Sequence, residues 1–239
     1  SKLFDINRVR DVDIHSIKVG NSKWPLIYID NFYKNPDDIR KLSEELPYFK
    51  GKYILGNSPG VRCGIKINAM KIKDILYDLF DIFADNFMKE NDINDKHKPS
   101  VMMFTRTRSN EKGVKFKQTG APHVDYVPDS LRPTDHFWNF ATVCYLNKGD
   151  ECKGGTAFYR HKESGLEVIR TDEESHSTRN WHGIDPLNED FDWLSDSTDL
   201  YENIYTVKMK FNRMVVYPAN VLHSGYVKSD YFTDKDRII

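Results

Sequence analysis

In the stretch GAPHVDYVPDS, residues 120–130, a histidine and an aspartate stand two positions apart, His123 and Asp125, between Pro122 and Pro128. At a strand end, residues i and i+2 point to one side of the chain, so an imidazole nitrogen and a carboxylate oxygen can reach a single ion. The pair alone is within chance for a chain with eight His, so a third ligand decides. The best-placed third is His223 in RMVVYPANVLHSGYV, which follows a hydrophobic run and a Pro turn. Two His and one carboxylate on one face of a metal leave three positions open, the donor set of non-haem Fe(II) oxygenases. Zinc hydrolases also use two His and an acid, but nothing in the chain resembles H-E-x-x-H. His136, His161, His176 and His182 have no partner at ligand spacing and read as structural or solvent-facing.

Such ligands need a rigid frame, and the chain alternates the right signals. WPLIYIDNFY (24–33) is β-rich, and NPDDIRKLSEEL (35–46) opens a helix with Asn35 as N-cap, Pro36 at the first position and acids in the first turn. MKIKDILYDLFDIFADNFMKEN (70–91) spaces Ile72, Ile75, Leu76, Leu79, Ile82, Phe83 and Phe87 as the apolar face of a helix that backs a sheet. After Pro99 the runs become short and strand-like: SVMMFTRT, FWNFATVCYLN, GGTAFYRH, LEVIRT, NIYTVKMKF, RMVVYPA and LHSGYV, separated by Gly, Pro, Asn and Asp turns. The expectation is a mainly β (α+β) single domain over 1–239. Residues 1–99 would form a helical support with flanking strands, and 100–239 a double-stranded β-helix, or jelly-roll, catalytic core.

From these motifs a family resemblance emerges. The order His-x-Asp, strand, Gly-Gly turn, distal His and following Arg resembles the 2-oxoglutarate and Fe(II)-dependent oxygenases, and TVCYLNKGDECKGGTAFY is similar to the prolyl-hydroxylase type within them. It covers about residues 100–239. The resemblance implies that His123, Asp125 and His223 ligate Fe(II), that Tyr145 hydrogen-bonds the distal carboxylate of 2-oxoglutarate, and that Arg237 pairs with that carboxylate bidentately. Arg237 lies fourteen positions after His223 rather than about ten, so KSDYFTD must bulge, and Arg213 and Lys228 stand as alternatives. The implied reaction converts 2-oxoglutarate to succinate and carbon dioxide while hydroxylating a C–H bond of a peptide, amino-acid or other small-molecule substrate. Ascorbate can serve as accessory reductant. Because Asp125 fills the carboxylate position, hydroxylation is favoured over halogenation. The competing readings are a non-catalytic, cupin-like jelly-roll protein and a zinc-dependent hydrolase.

Composition narrows the setting. Basic and acidic side chains nearly cancel, 35 against 36, which argues against general nucleic-acid binding. Cys63, Cys144 and Cys152 are odd in number with no C-x-x-C, which points away from a disulfide framework and toward a reducing compartment. No apolar run approaches a membrane span, and SKLFDINRVRDVD is too charged for a signal peptide, so a soluble cytoplasmic protein is expected. Two charged segments remain: the basic RTRSNEKGVKFKQTG (106–120), and the acidic 185–202, whose Phe191, Trp193 and Tyr201 make it the better candidate for a lid over the site.

Overall fold

The computed structural model describes residues 2–50, 60–65, 69–83, 102–108, 122–125, 140–178 and 196–239. Eleven strands among them form antiparallel sheets: β1 (Asp13–Val19), β2 (Trp24–Asp30), β3 (Phe49–Lys50), β4 (Val61–Gly64), β5 (Met103–Thr107), β6 (Phe140–Tyr145), β7 (Gly155–His161), β8 (Tyr201–Lys208), β9 (Arg213–Pro218), β10 (His223–Tyr226) and β11 (Arg237–Ile238). The helices are α1 (Pro36–Glu45), α2 (Ala69–Phe83) and α3 (Asp172–Thr178). Two sheets have four strands, in the orders β1-β2-β9-β6 and β11-β5-β4-β3, and the third is β10-β7-β8. Past the end of β6, the Leu146 amide donates to the Ile238 carbonyl (3.1 Å), and the Ile238 amide donates to Asn147 Oδ1 (2.8 Å). These bonds join the two four-stranded sheets along β6 and β11.

Period-two alternation sorts the core into layers. On β9, Met214 and Val216 pack with Ile72, Leu76 and Phe80 of α2, while Val215 and Tyr217 pack with Phe158 of β7 and Val207 of β8. β2 divides likewise, Ile27 and Ile29 to the helix side and Leu26 to the space between sheets. One face of the β9 sheet is thus covered by helices and the other by the β10-β7-β8 sheet. Each such side chain, removed from water, contributes about 1.5–3 kcal/mol, and Phe158, wholly buried between the sheets, also shapes the wall behind His223.

The Gly154–Gly155 turn is required by close backbone approach. A Cβ on Gly154 would lie 2.1 Å from the Tyr226 carbonyl oxygen, and one on Gly155 2.0 Å from that of Val207. Both have positive φ, 78° and 154°, where only glycine is comfortable. Without them β7 could not run between β8 and β10.

Several local expectations change. The N-terminal hundred residues supply α1 and α2 and give β1 to β4 to the sheets. β1 (DIHSIKV) escapes notice because it is a mostly exposed edge strand with polar side chains on its open side. Pro36 opens α1 as expected, but the Asn35 side chain makes no capping bond, and only its backbone carbonyl accepts, from Ile39 N at 3.2 Å. LEVIRT is not a strand: Val168 makes an isolated bridge to Val221, and the chain then turns into α3. Tyr201, assigned to the lid, is instead a buried residue at the start of β8, edge-on to His161 and Tyr159. Residues 84–91 of the 70–91 helix expected from the sequence, most of the 106–120 segment, and 185–195 of the acidic one, with Phe191 and Trp193, lie outside the described residues, as do His136 and His182. No helix among the described residues is long and apolar enough to cross a membrane.

Candidate metal centre

The chain brings His123, Asp125 and His223 together, their candidate ligand atoms all within 4.8 Å of one another. His223 opens β10, and His123 lies on a short segment laid against it: each residue's amide donates to the other's carbonyl at 2.9 Å. Two residues on, the Asp125 amide donates to the Ala219 carbonyl at 2.8 Å, just past β9. Both ends of His-x-Asp are therefore pinned by backbone bonds to the turn that carries the distal His. The two imidazole rings are 4.6 Å apart, and Asp125 reaches both, with Oδ2 3.5 Å from His223 Nε2 and Oδ1 3.9 Å from His123 Nε2.

The donors suit a divalent ion. His223 is buried, and its Nδ1 donates to the Val221 carbonyl at 3.0 Å, which fixes the tautomer and leaves the Nε2 lone pair aimed at the cluster. Burial lowers the His223 pKa to about 4 against the opposing pull of Asp125, so at neutral pH the ring is in the uncharged form that ligates. Its packing is firm, with Tyr217 centred 4.8 Å away and Phe158 6.5 Å away. His123 and Asp125 are more open, with side chains 42% and 29% exposed, so a ligand approaches from their side. Ligand bonds of about 2.1 Å at right angles put donors about 3 Å apart, a modest contraction from the distances seen.

The remaining sequence candidates separate clearly. Arg237 on β11 is buried, its Nη2 donates to the Gly155 carbonyl at 3.3 Å, and its Nε has no hydrogen-bond partner. Burial lowers its pKa, partly offset by Tyr145 and Tyr217, and its guanidinium carbon is 5.9 Å from the Tyr145 ring centre. Tyr145 is fully buried, with its hydroxyl 2.6 Å from Thr156 Oγ1. Arg213 is consumed by Asp30, with Nε to Oδ1 at 2.6 Å and Nη2 to Oδ2 at 3.0 Å. Lys228 is partly exposed and paired with Asp196 at 3.2 Å.

Two residues at the site have no signal in the sequence reading. Tyr217 is buried, which raises its pKa well above the usual tyrosine value, and its hydroxyl feels the charges of Asp125, Tyr145 and Arg237. Arg62 on β4 lies within reach of the charge of Asp125. Reading GVRCG as a strand would have set Arg62 on the opposite face from Cys63, but only the pairing with β5 says which face is inner. His161 is buried and bonded to Ser164 Oγ (2.8 Å), and His176 is exposed with its Nδ1 donating to the Asp172 carbonyl (2.6 Å). The three cysteines are unpaired.

Among known proteins, no curated protein and no solved structure matches the chain. A family model does match, over residues 10–237, and its description is a family of unknown function, DUF6445. That span includes β1 through Arg237 and all three candidate ligands, and the chain belongs to this family.

Proposed function

We propose that the chain is an Fe(II)- and 2-oxoglutarate-dependent oxygenase on a jelly-roll core, acting as one domain and hydroxylating a C–H bond. The observation that carries this reading is a pairing of two unusual features: an open two-His, one-Asp cluster, and a buried arginine with no acidic partner among the described residues beside a buried tyrosine. When bound, iron and 2-oxoglutarate supply the oxidising chemistry, with dioxygen consumed, 2-oxoglutarate converted to succinate and carbon dioxide, and hydroxyl delivered to the substrate carbon.

The chain's own work is to bind, orient and exclude water. His123, Asp125 and His223 would hold the ion by one face, leaving positions for a chelating keto acid and dioxygen. Arg237 would take the distal carboxylate through its guanidinium fork, which would give the orphan Nε an acceptor and offset the cost of a buried cation. The Tyr145 hydroxyl, now shared with Thr156, would add a second bond to that carboxylate. Tyr217 and Phe158 keep the His223 side dry, which strengthens every charge interaction there.

Anaerobic Fe(II) plus 2-oxoglutarate should give the visible charge-transfer band of a keto acid chelated to iron. His123→Ala should lose it, and aerobic incubation should release succinate even without substrate. A non-catalytic jelly-roll protein would give neither signal, and a zinc hydrolase would hold zinc tightly and ignore 2-oxoglutarate. Absence of the band in the wild-type protein overturns the proposal.

A further inference from the structure

Arg62 and Arg237 share one face of one sheet. β4 pairs with β5 through Arg62 and Thr105, and β11 pairs with β5 through Arg237 and Thr107. The Ile239 and Thr105 backbones exchange hydrogen bonds at 2.8 and 3.0 Å, which extends the same register. Because alternate residues share a face, Arg62, Thr105, Thr107, Arg237 and Ile239 all project to one side. Phe104 and Ile238 project to the other and belong to the helix-side core, whereas Ile239 packs with the core between the sheets. The row of two arginines and two buried threonines therefore faces the interior in which His123, Asp125 and His223 sit.

Arg62 is poorly served in that position. Among the described residues its hydrogen bond goes from Nη1 to the Met103 sulfur at 3.5 Å, a weak acceptor, and its buried Nε has none. Asp125 is the carboxylate whose charge it feels, and a metal ion would engage that carboxylate. A guanidinium on an inner face without a good acceptor costs stability, which makes sense where an anionic ligand supplies the acceptor.

We infer that Arg62 is a second anion-recognising residue of the site and that the substrate carries a carboxylate, which Arg62 takes while Arg237 holds 2-oxoglutarate. This rests on the function proposed above. Charge selects a monoanion. A divalent ion with Asp125, together with dianionic 2-oxoglutarate and Arg237, cancels to zero, and Arg62 leaves one positive charge facing the cluster. A single carboxylate on the substrate neutralises it and accepts two parallel N–H bonds. A phosphate dianion would leave excess negative charge in a low-dielectric space. The substrate class is thus amino acids, or peptides and small acids presenting a free carboxylate, with the reacting carbon held between Arg62 and the ion.

The test uses the full chain loaded with Zn(II) and 2-oxoglutarate, so that binding is read without turnover. Thermal-shift titrations with a panel of amino acids and short aliphatic acids are compared with those of their carboxamides, for wild type, Arg62→Gln and Arg62→Lys. Acids should bind at least tenfold tighter than the matching amides. Arg62→Gln should erase that preference and Arg62→Lys restore part of it, with 2-oxoglutarate affinity changing less than twofold in either variant. Binding of amides as tight as acids, an unchanged preference in Arg62→Gln, or no binding by any carboxylate overturns the inference. The Fe(II) charge-transfer band reports separately: its absence in wild type removes the proposed function, whereas its presence with no acid preference removes only the role of Arg62. Arg62→Lys, which keeps the charge, guards against a Gln variant that fails to fold.

Discussion

Tyr145 feels the charge of two guanidinium groups, those of Arg237 and Arg213. On one side Arg213 is locked to Asp30 by two short bonds, with Lys210 closing the same carboxylate at 2.7 Å. On the other, Arg237 is more deeply set and, among the described residues, is bonded only to a backbone carbonyl. Burial raises the Asp30 pKa, and Arg213 and Lys210 more than reverse it, the mark of an ion pair complete within the fold. Burial lowers the Arg237 pKa with no carboxylate to reverse it. Under the proposed function, the fold completes Arg213 with its own acid, whereas Arg237 is left for a ligand carboxylate to pair.

Breaking the paired side should produce the largest loss of stability. Arg213→Gln leaves Asp30 buried beside the exposed Lys210 and, at 4.0 Å, His15, and should cost about 2–4 kcal/mol in chemical denaturation. Its affinity for 2-oxoglutarate should stay within about twofold of wild type, corresponding to less than ~0.5 kcal/mol. Arg237→Gln should invert the pattern, weakening 2-oxoglutarate about a hundredfold, or ~2.8 kcal/mol. Its stability without ligand should shift by under about 1 kcal/mol, since the lost cation had no acid to leave behind. If both variants lose stability equally and neither loses 2-oxoglutarate, the distinction between the two arginines is wrong.

How far this contrast can be seen in sequence differs between the two sides. His123 and Asp125 are legible because their spacing is local, and β6, β7 and β9 because their apolar alternation is strong. Arg237 comes first only through the family resemblance, with Arg213 and Lys228 left open, since the discriminating fact is whether an acid from a distant strand, Asp30, reaches one of them. That pairing spans 183 positions. Arg62 is silent for the same reason: a strand pattern gives two faces, and only register with β5 and β11 tells which one is inner. β1 and α3 are missed because an edge strand and a short acidic helix bury too little apolar surface to set a period. Their positions are decided by what they pack against.

A smaller effect sharpens the same comparison from the position of β11. Glu151 receives Arg40 Nη1 at 2.7 Å and Lys235 Nζ at 2.9 Å, tying α1 to the segment two residues before Arg237. The Arg40 bond, opposed by burial and helped by Lys235, lowers the Glu151 pKa from 4.5 to about 2. A carboxylate with a depressed folded pKa stabilises fully above its unfolded pKa, and the contribution is lost as pH falls from 4.5 through about 2. Because Lys235 is largely exposed and screened, the contribution should be about 1–2 kcal/mol rather than the full linkage value. Denaturation midpoints of wild type and Glu151→Gln should therefore differ near neutrality and converge as the pH is lowered through that window. The lost ties would loosen the segment leading into β11, so the Gln variant should also bind 2-oxoglutarate a few-fold more weakly at neutral pH. A midpoint gap that persists unchanged to the acid limit would mean that Glu151 acts by packing and not by charge. Arg237 would then owe its position to the pairing with β5 and to the bonds that Asn147, Arg106 and Arg108 make around it.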